Sequence, residues 1–250
     1  SVERALRLMK ALSSRGEFGW RLSDLAEQVA LDRATCHRML ACFITEGFAQ
    51  RGGDDLKYYP GQALFEMGLA LPQYAALREL VDPRLDQLAA RTGCVASFTL
   101  RSGYDLVCVY QQRHGLELAG MLIRIGTRRP LVTSVGGLAM LQQLPADVVA
   151  RIVAENRQRE FGRGGERRLA NLERMRQRSD ARGYGFTQGE LAPGLGALAV
   201  PVRSSTGEPF AALVLSGADT VVNEATVDGF HAELMAVARA IEGDAASCLR

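Results

Sequence analysis

No uninterrupted apolar run in this 250-residue chain reaches the ~18 residues that a membrane-crossing helix requires, so no membrane partner is expected. Nor does the chain open with a basic stretch followed by an apolar one, the pattern of a secretory signal. Its five cysteines (36, 42, 94, 108 and 248) form no C-x-x-C pair and no metal-ligand spacing, which fits reduced thiols in a cytoplasm. The three histidines, His37, His114 and His231, are too scattered for a metal site. There is no G-x-S-x-G elbow and no G-x-x-x-x-G-K-S/T loop, and Gly162-Arg163-Gly164-Gly165 does not follow a strand-like run. Neither catalysis, a metal nor a cofactor is expected. Charge is sparing too: the net value is +2, and the first 72 residues hold nine Lys/Arg against nine Asp/Glu. Any nucleic-acid contact must come from where charges sit rather than from their sum.

What is present is a globular composition, 47% hydrophobic and 23% charged, in a length that suits one or two domains with their own cores. Residues 31–47 organise the rest. Cys36, Met39, Leu40, Phe43 and Ile44 recur at i, i+3, i+4, i+7 and i+8, the stripe of an amphipathic helix. Asp32 is a good N-cap, and Gly47 is the usual residue just past a helix end. The opposite face carries Arg33, Ala34, Thr35, His37 and Arg38, short or cationic groups in the first two turns. Such a face suits a helix that enters a DNA major groove N-terminus first, although an exposed Arg/Thr face is ordinarily only solvated surface.

The neighbouring residues favour the first reading. Residues 2–14 read as a helix with a broad apolar face of Val2, Ala5, Leu6, Leu8, Met9 and Leu12. Residues 20–22 suggest a short strand, and Ser23 a cap for a helix over 24–29. Two short helices joined by three or four residues make a helix-turn-helix. Residues 48–51 and 56–60 then flank the turn Gly52-Gly53-Asp54-Asp55, a hairpin or "wing" from which Arg51 and Lys57 can reach phosphate. This part resembles the winged helix-turn-helix of the IclR family of bacterial transcriptional regulators. The resemblance rests on residues 1–6, Leu22-Ser23-Asp24-Leu25-Ala26, residues 33–40, Glu46-Gly47-Phe48 and Tyr59-Pro60-Gly61.

Residues 62–71 form a short apolar helix ended by Pro72, suited to link two domains. A helix over 74–90 follows, with Pro83 as a kink or a new start. Strand-like runs cover 95–101, 106–112 and 118–125. Helical patterns cover 139–144, 146–156 and a basic 167–182, with a loop at 163–165. The chain closes with a turn-rich segment to 194, strands over 197–203 and 210–216, and a helix over 224–242. The expected architecture is α+β: a winged helix-turn-helix in 1–61, a linker helix in 62–72, and in 73–250 an antiparallel-rich sheet flanked by helices.

The C-terminal part is also similar to the family, in its GAF-like effector-binding domain. The match rests on Gly126 and Pro130-Leu131 in a G-x-x-x-P-L turn, the Gly/Ala-rich run from 132 to 144, Arg182-Gly183-Tyr184-Gly185, Pro193-Gly194-Leu195 and residues 211–217. In relatives that bind small carboxylates, the resemblance implies, two backbone N–H groups hold the carboxylate; the matching positions are Val135 and Gly136. An acidic group, a cysteine and two serines complete that site, and this chain has Thr187, Ala197, Val214 and Ser216 in their places. Losing polar partners penalises a small, highly charged ligand. A larger, less polar effector than glyoxylate-sized acids is therefore expected, an aromatic compound being one candidate; a pocket that binds nothing is the plainer reading.

The resemblance implies a regulator that binds double-stranded operator DNA as a homodimer, and tetramers as well, under control of a small-molecule effector. The alternative is a redox-responsive regulator or reductase that uses Cys94 and Cys108, which fall in or beside adjacent strand-like runs.

Overall fold

The computed structural model describes residues 2–114 and 123–245. It divides into two compact units, Ser1–Pro72 and Gln73–Arg250.

In the first unit, α1 (Val2–Ser13), a 3-10 turn (Gly16–Phe18), α2 (Leu22–Gln28) and α3 (Arg33–Thr45) are followed by the hairpin β1 (Ala49–Arg51) and β2 (Tyr58–Pro60) and by α4 (Gln62–Gly68). Leu8, Leu12, Trp20, Leu25, Cys36, Leu40, Phe43 and Tyr58 form its core. Local signals start and stop α3 as the sequence predicts. The Thr35 N–H donates to the Asp32 carboxylate at 2.8 Å. At the other end Gly47 adopts φ +75°, and the N–H groups of Gly47 and Phe48 turn back to the carbonyls of Ile44 and Phe43.

Elsewhere tertiary contacts override the local reading. The strand expected at 20–22 is a single bridge, Trp20 pairing with Tyr58. That pairing leaves the chain extended at Arg21, so α2 starts at Leu22 with Arg21 as its N-cap, and the Ser23 hydroxyl bonds to Asp24 instead of capping. Only Leu8 and Leu12 of the α1 stripe are buried, whereas Val2 and Leu6 are 71% and 53% exposed. α4 stops at Gly68, three residues before the expected end, and buries no residue.

Among the described residues the second unit is built on one six-stranded antiparallel sheet, order β5-β4-β3-β8-β7-β6. Its strands are β3 (Val95–Ser102), β4 (Asp105–Gln112), β5 (Arg128–Pro130), β6 (Gly185–Gln188), β7 (Leu195–Arg203) and β8 (Pro209–Ala218). On one face Phe98, Phe186, Leu198, Leu213 and Leu215 pack with side chains of α5 (Pro72–Thr92) and α8 (Val227–Ala245). On the other, Leu106, Ala197, Ala199, Ala212 and Val214 pack with α6 (Val135–Leu141) and α7 (Ala146–Arg182). Alternation along the strands thus feeds two separate cores.

Several expectations change here. Pro72 opens α5, where its missing N–H costs nothing, and Pro83 lies inside this one helix instead of starting another. The loop expected at 163–165 shrinks to a kink within α7, where Gly165 alone takes φ +59°, ψ −156°. Short edge strands β5 and β6 were not legible, and most of the run expected at 118–125 lies outside the described residues. α6 begins at Val135 because the Ser134 hydroxyl accepts the Gly137 N–H at 3.1 Å. A Cβ on Gly137 would collide with the Leu131 carbonyl, and one on Gly185 with the carbonyl of Val135.

Backbone cannot yield as a side chain can. Gly137→Ala is therefore expected to destabilise the second unit by roughly 1–3 kcal/mol, read as a lower urea midpoint at unchanged slope.

Candidate DNA interface and sensor cavity

The first two turns of α3 present Arg33, Ala34, His37 and Arg38 to solvent, with Thr35 half-buried and Cys36 and Leu40 facing the core. Arg38 donates from Nη2 to the Thr35 hydroxyl at 3.3 Å. That bond aligns a guanidinium and a hydroxyl side by side on the exposed face, a pair suited to a base edge. The Thr35 N–H also holds the Asp32 carboxyl below its ordinary pKa, so the cap stays charged.

The wing is less open than its sequence suggests. Arg51 is exposed, its guanidinium 5.7 Å from the centre of the Tyr58 ring. Lys57 Nζ instead donates to the Phe18 carbonyl at 3.0 Å and lies 3.6 Å from the Asp55 carboxylate. Asp55 also accepts the Lys57 backbone N–H at 3.0 Å and the Tyr59 hydroxyl, and these donors hold its pKa below the usual value. Asp55 is the residue that sequence reasoning missed: it read there only as turn chemistry. The Lys57 ammonium is thus tied to the wing's own carboxylate.

The second unit contains a cavity at the start of α6. Leu106, Ile123, Val135, Gly136 and Val214 supply its apolar wall, and Thr99, Cys108, Thr127, Arg129 and Ser134 its polar one. Counted with its open mouth the space is about 310 Å³; the interior is tight, about 20 Å³, room for a water or two. Gly136 lets α6 lie this close to the sheet, since a Cβ there would stand 3.1 Å from Leu106 and 3.2 Å from Val214.

Of the six residues carried over by resemblance, Val135, Gly136 and Val214 line this cavity. The other three form a row across the sheet, Thr187 opposite Ala197 and Ala197 opposite Ser216, outside the cavity's described lining. There the Thr187 hydroxyl donates to Glu190 at 2.8 Å, and Glu190 also accepts the Gln188 N–H at 2.7 Å and lies 3.2 Å from Arg178. A carboxylate absent at 187 is therefore present three residues on, held by the chain itself.

The redox alternative using Cys94 and Cys108 finds no support in the structure. Both thiols are free, but Cys94 belongs to the core beneath α5 and α8, whereas Cys108 lines the cavity on the opposite face. Burial raises the Cys94 pKa and pushes that of Cys108 up to about 12, so neither supplies a thiolate near neutrality. Among the described residues, no three His, Cys, Asp or Glu side chains form a metal-binding group. No described helix is long and apolar enough to cross a membrane.

A winged helix-turn-helix, joined in one chain to a two-faced sheet with a cavity under a short helix, defines a DNA-binding regulator with a sensor unit. Comparison with known proteins makes the assignment specific. Residues 1–53 match the IclR helix-turn-helix domain, and residues 71–243 match the bacterial transcriptional regulator IclR C-terminal domain. The chain belongs to the IclR family of bacterial transcriptional regulators. It is 26% identical to the transcriptional repressor IclR of Escherichia coli (strain K12) over 244 residues, covering 96% of this chain and 88% of that one. It is 27% identical to the regulator KdgR of the same organism, covering 96% and 90%. Among solved structures, an IclR homolog from Microbacterium hydrocarbonoxydans complexed with 4-hydroxybenzoate shares the fold, with TM-score 0.69, 21% identity, and 98% and 99% of the two chains covered.

Asp55→Asn removes the charge that holds the Lys57 ammonium. Affinity for random-sequence duplex should rise, and the plot of log K against log salt should steepen by about one unit as one more phosphate is neutralised. Fluorescence anisotropy across a salt series checks this; an unchanged slope would mean that Lys57 never reaches the backbone.

Proposed function

We propose that this chain binds operator DNA as a homodimer, able to pair into tetramers, and that a small organic ligand in the second unit alters that binding. In this reading residues 1–61 form the DNA-binding domain, 62–72 the linker and 73–250 the sensor. Thr35 and Arg38 read base edges, with Arg33, Ala34 and His37 beside them, and Arg51 meets phosphate. Lys57 joins it only by leaving Phe18 and Asp55. The observation that carries the DNA half is the Thr35–Arg38 pair on an exposed helix whose start is fixed by Asp32. Exposed Val2 and Leu6 on α1, and Phe65 and Met67 on α4, supply apolar faces that a second copy would cover.

The ligand half rests on the cavity. Leu106, Val135 and Val214 favour an apolar body, in keeping with an effector larger and less polar than glyoxylate, and a relative of this fold was solved with an aromatic acid. A ring must part the tight walls, and a longer ligand extends past Gly136 toward Ala197 and Ser216, with Thr187 beyond them. Ligand binding acts on DNA affinity by favouring one geometry of the assembly, since a ligand shifts states only through differential affinity.

Arg38→Ala should cost about 1–3 kcal/mol on the specific operator and little on random DNA. Affinities measured on both duplexes test it, and equal losses would remove Arg38 from base reading. For the ligand, thermal shifts are expected with aromatic compounds and not with glyoxylate at the same concentration; a ligand at about 100 times its Kd adds roughly 2.7 kcal/mol. Shifts by small acids alone would overturn the apolar reading, and a flat panel would leave the sensor without a ligand.

A further inference from the structure

We propose that Tyr110 is a positioning residue that passes a change at the cavity wall to the first turn of α5, through a bulge in β4. The regulatory meaning of this link rests on the reading of the cavity as the ligand site.

The link begins in the register of two neighbouring strands. Phe98 pairs with Tyr110, but Thr99, the next residue of β3, pairs with Cys108. Val109 is therefore an extra residue in β4, a bulge of the kind that re-aims the side chain after it. In an unbroken strand Cys108 and Tyr110 would share a face. Here Cys108 lines the cavity with Thr99, whereas Tyr110 belongs with Phe98 to the core beneath α5 and α8. The bulge thus joins the two sides of the sheet over a single turn of the backbone.

Both ends of this short segment are held. On the cavity side the Cys108 thiol donates to the Tyr110 carbonyl at 3.7 Å and closes the bulge. Burial pushes the pKa of that thiol up to about 12, so it keeps the proton this bond requires. On the other side the Tyr110 ring stacks with Phe98, centroids 6.2 Å apart, and Phe98 meets Phe210 edge-on. The Tyr110 hydroxyl then donates to the Tyr74 carbonyl at 2.6 Å. Tyr74 lies in the first turn of α5, and Pro72, which opens that helix, is also the last residue of the first unit. A carbonyl has two lone pairs, so this bond adds to the helical one without replacing it. A close-packed interior transmits strain instead of absorbing it. A ligand that displaces Cys108 therefore shifts the bulge, and with it the tyrosine that anchors the point where the chain enters the second unit.

Amide hydrogen exchange of the full chain tests the link with no ligand added, so its failure is distinct from failure of the ligand-site reading. Cys108→Ala removes the thiol and opens the wall. It should speed exchange of the amides in residues 74–80 by about threefold or more relative to α8, whose exchange reports opening of the whole core. Tyr110→Phe should speed the same amides by itself, and adding Cys108→Ala to it should bring no further change, because the link is already cut. If Cys108→Ala does not fold, Cys108→Val keeps the wall apolar, lacks the donor and takes its place. Two independent, additive effects, or exchange at 74–80 that ignores residue 108, would overturn the proposal and leave Tyr110 with a packing role alone.

Discussion

The second unit depends on how closely helix α6 lies against the rest of the chain. Its first turn has glycine at two consecutive positions, poor residues for a helix interior, and a serine cap in front of them. Gly137 stands against the Leu131 carbonyl, Gly136 against Leu106, Val214 and Ala212, and the Val135 carbonyl lies where a Cβ on Gly185 of β6 would fall. Propensity is given up so that the helix can rest on its neighbours with no side chain of its own at these two positions. That proximity joins the core under α6 and α7 into one body and leaves the cavity where the helix begins. The cavity is therefore a by-product of packing, and its walls are residues whose first duty is structural.

The DNA-binding unit shows a different economy. Equal numbers of acidic and basic residues in the first 72 give no net attraction to a polyanion. Instead two aspartates fix the groups around them: Asp32 starts α3, and Asp55 gathers the Lys57 N–H, the Lys57 ammonium and the Tyr59 hydroxyl. Acid here organises geometry at the expense of unspecific attraction. In a long genome with many competing sites, discrimination matters more than bare affinity.

What could be read from the sequence followed from the range of the forces involved. Asp32, Gly47 and the Cys36–Leu40–Phe43 stripe are signals within a few residues of their effect, and α3 follows them closely. The antiparallel β3–β4 pair was equally clear from its Gly103 turn. Ser23 misled because a bridge between Trp20 and Tyr58, distant in sequence, decided where α2 begins. β5 and β6 were illegible because three or four residues cannot display a period. The cavity was half legible. Val135, Gly136 and Val214 came through resemblance, but Arg129 and Thr99 reach it through pairings of β5, β4, β3 and β8 that no local pattern records.

The two ends of the sheet carry one more implication. Among the described residues its outermost strands are three and four residues long, and β5 consists of two arginines and a proline that has no N–H to donate. A further strand arriving at that margin meets like charge and too few hydrogen-bonding groups to build a ladder. Growth of the sheet from chain to chain is thereby discouraged, so an open fibre gains no foothold at this edge.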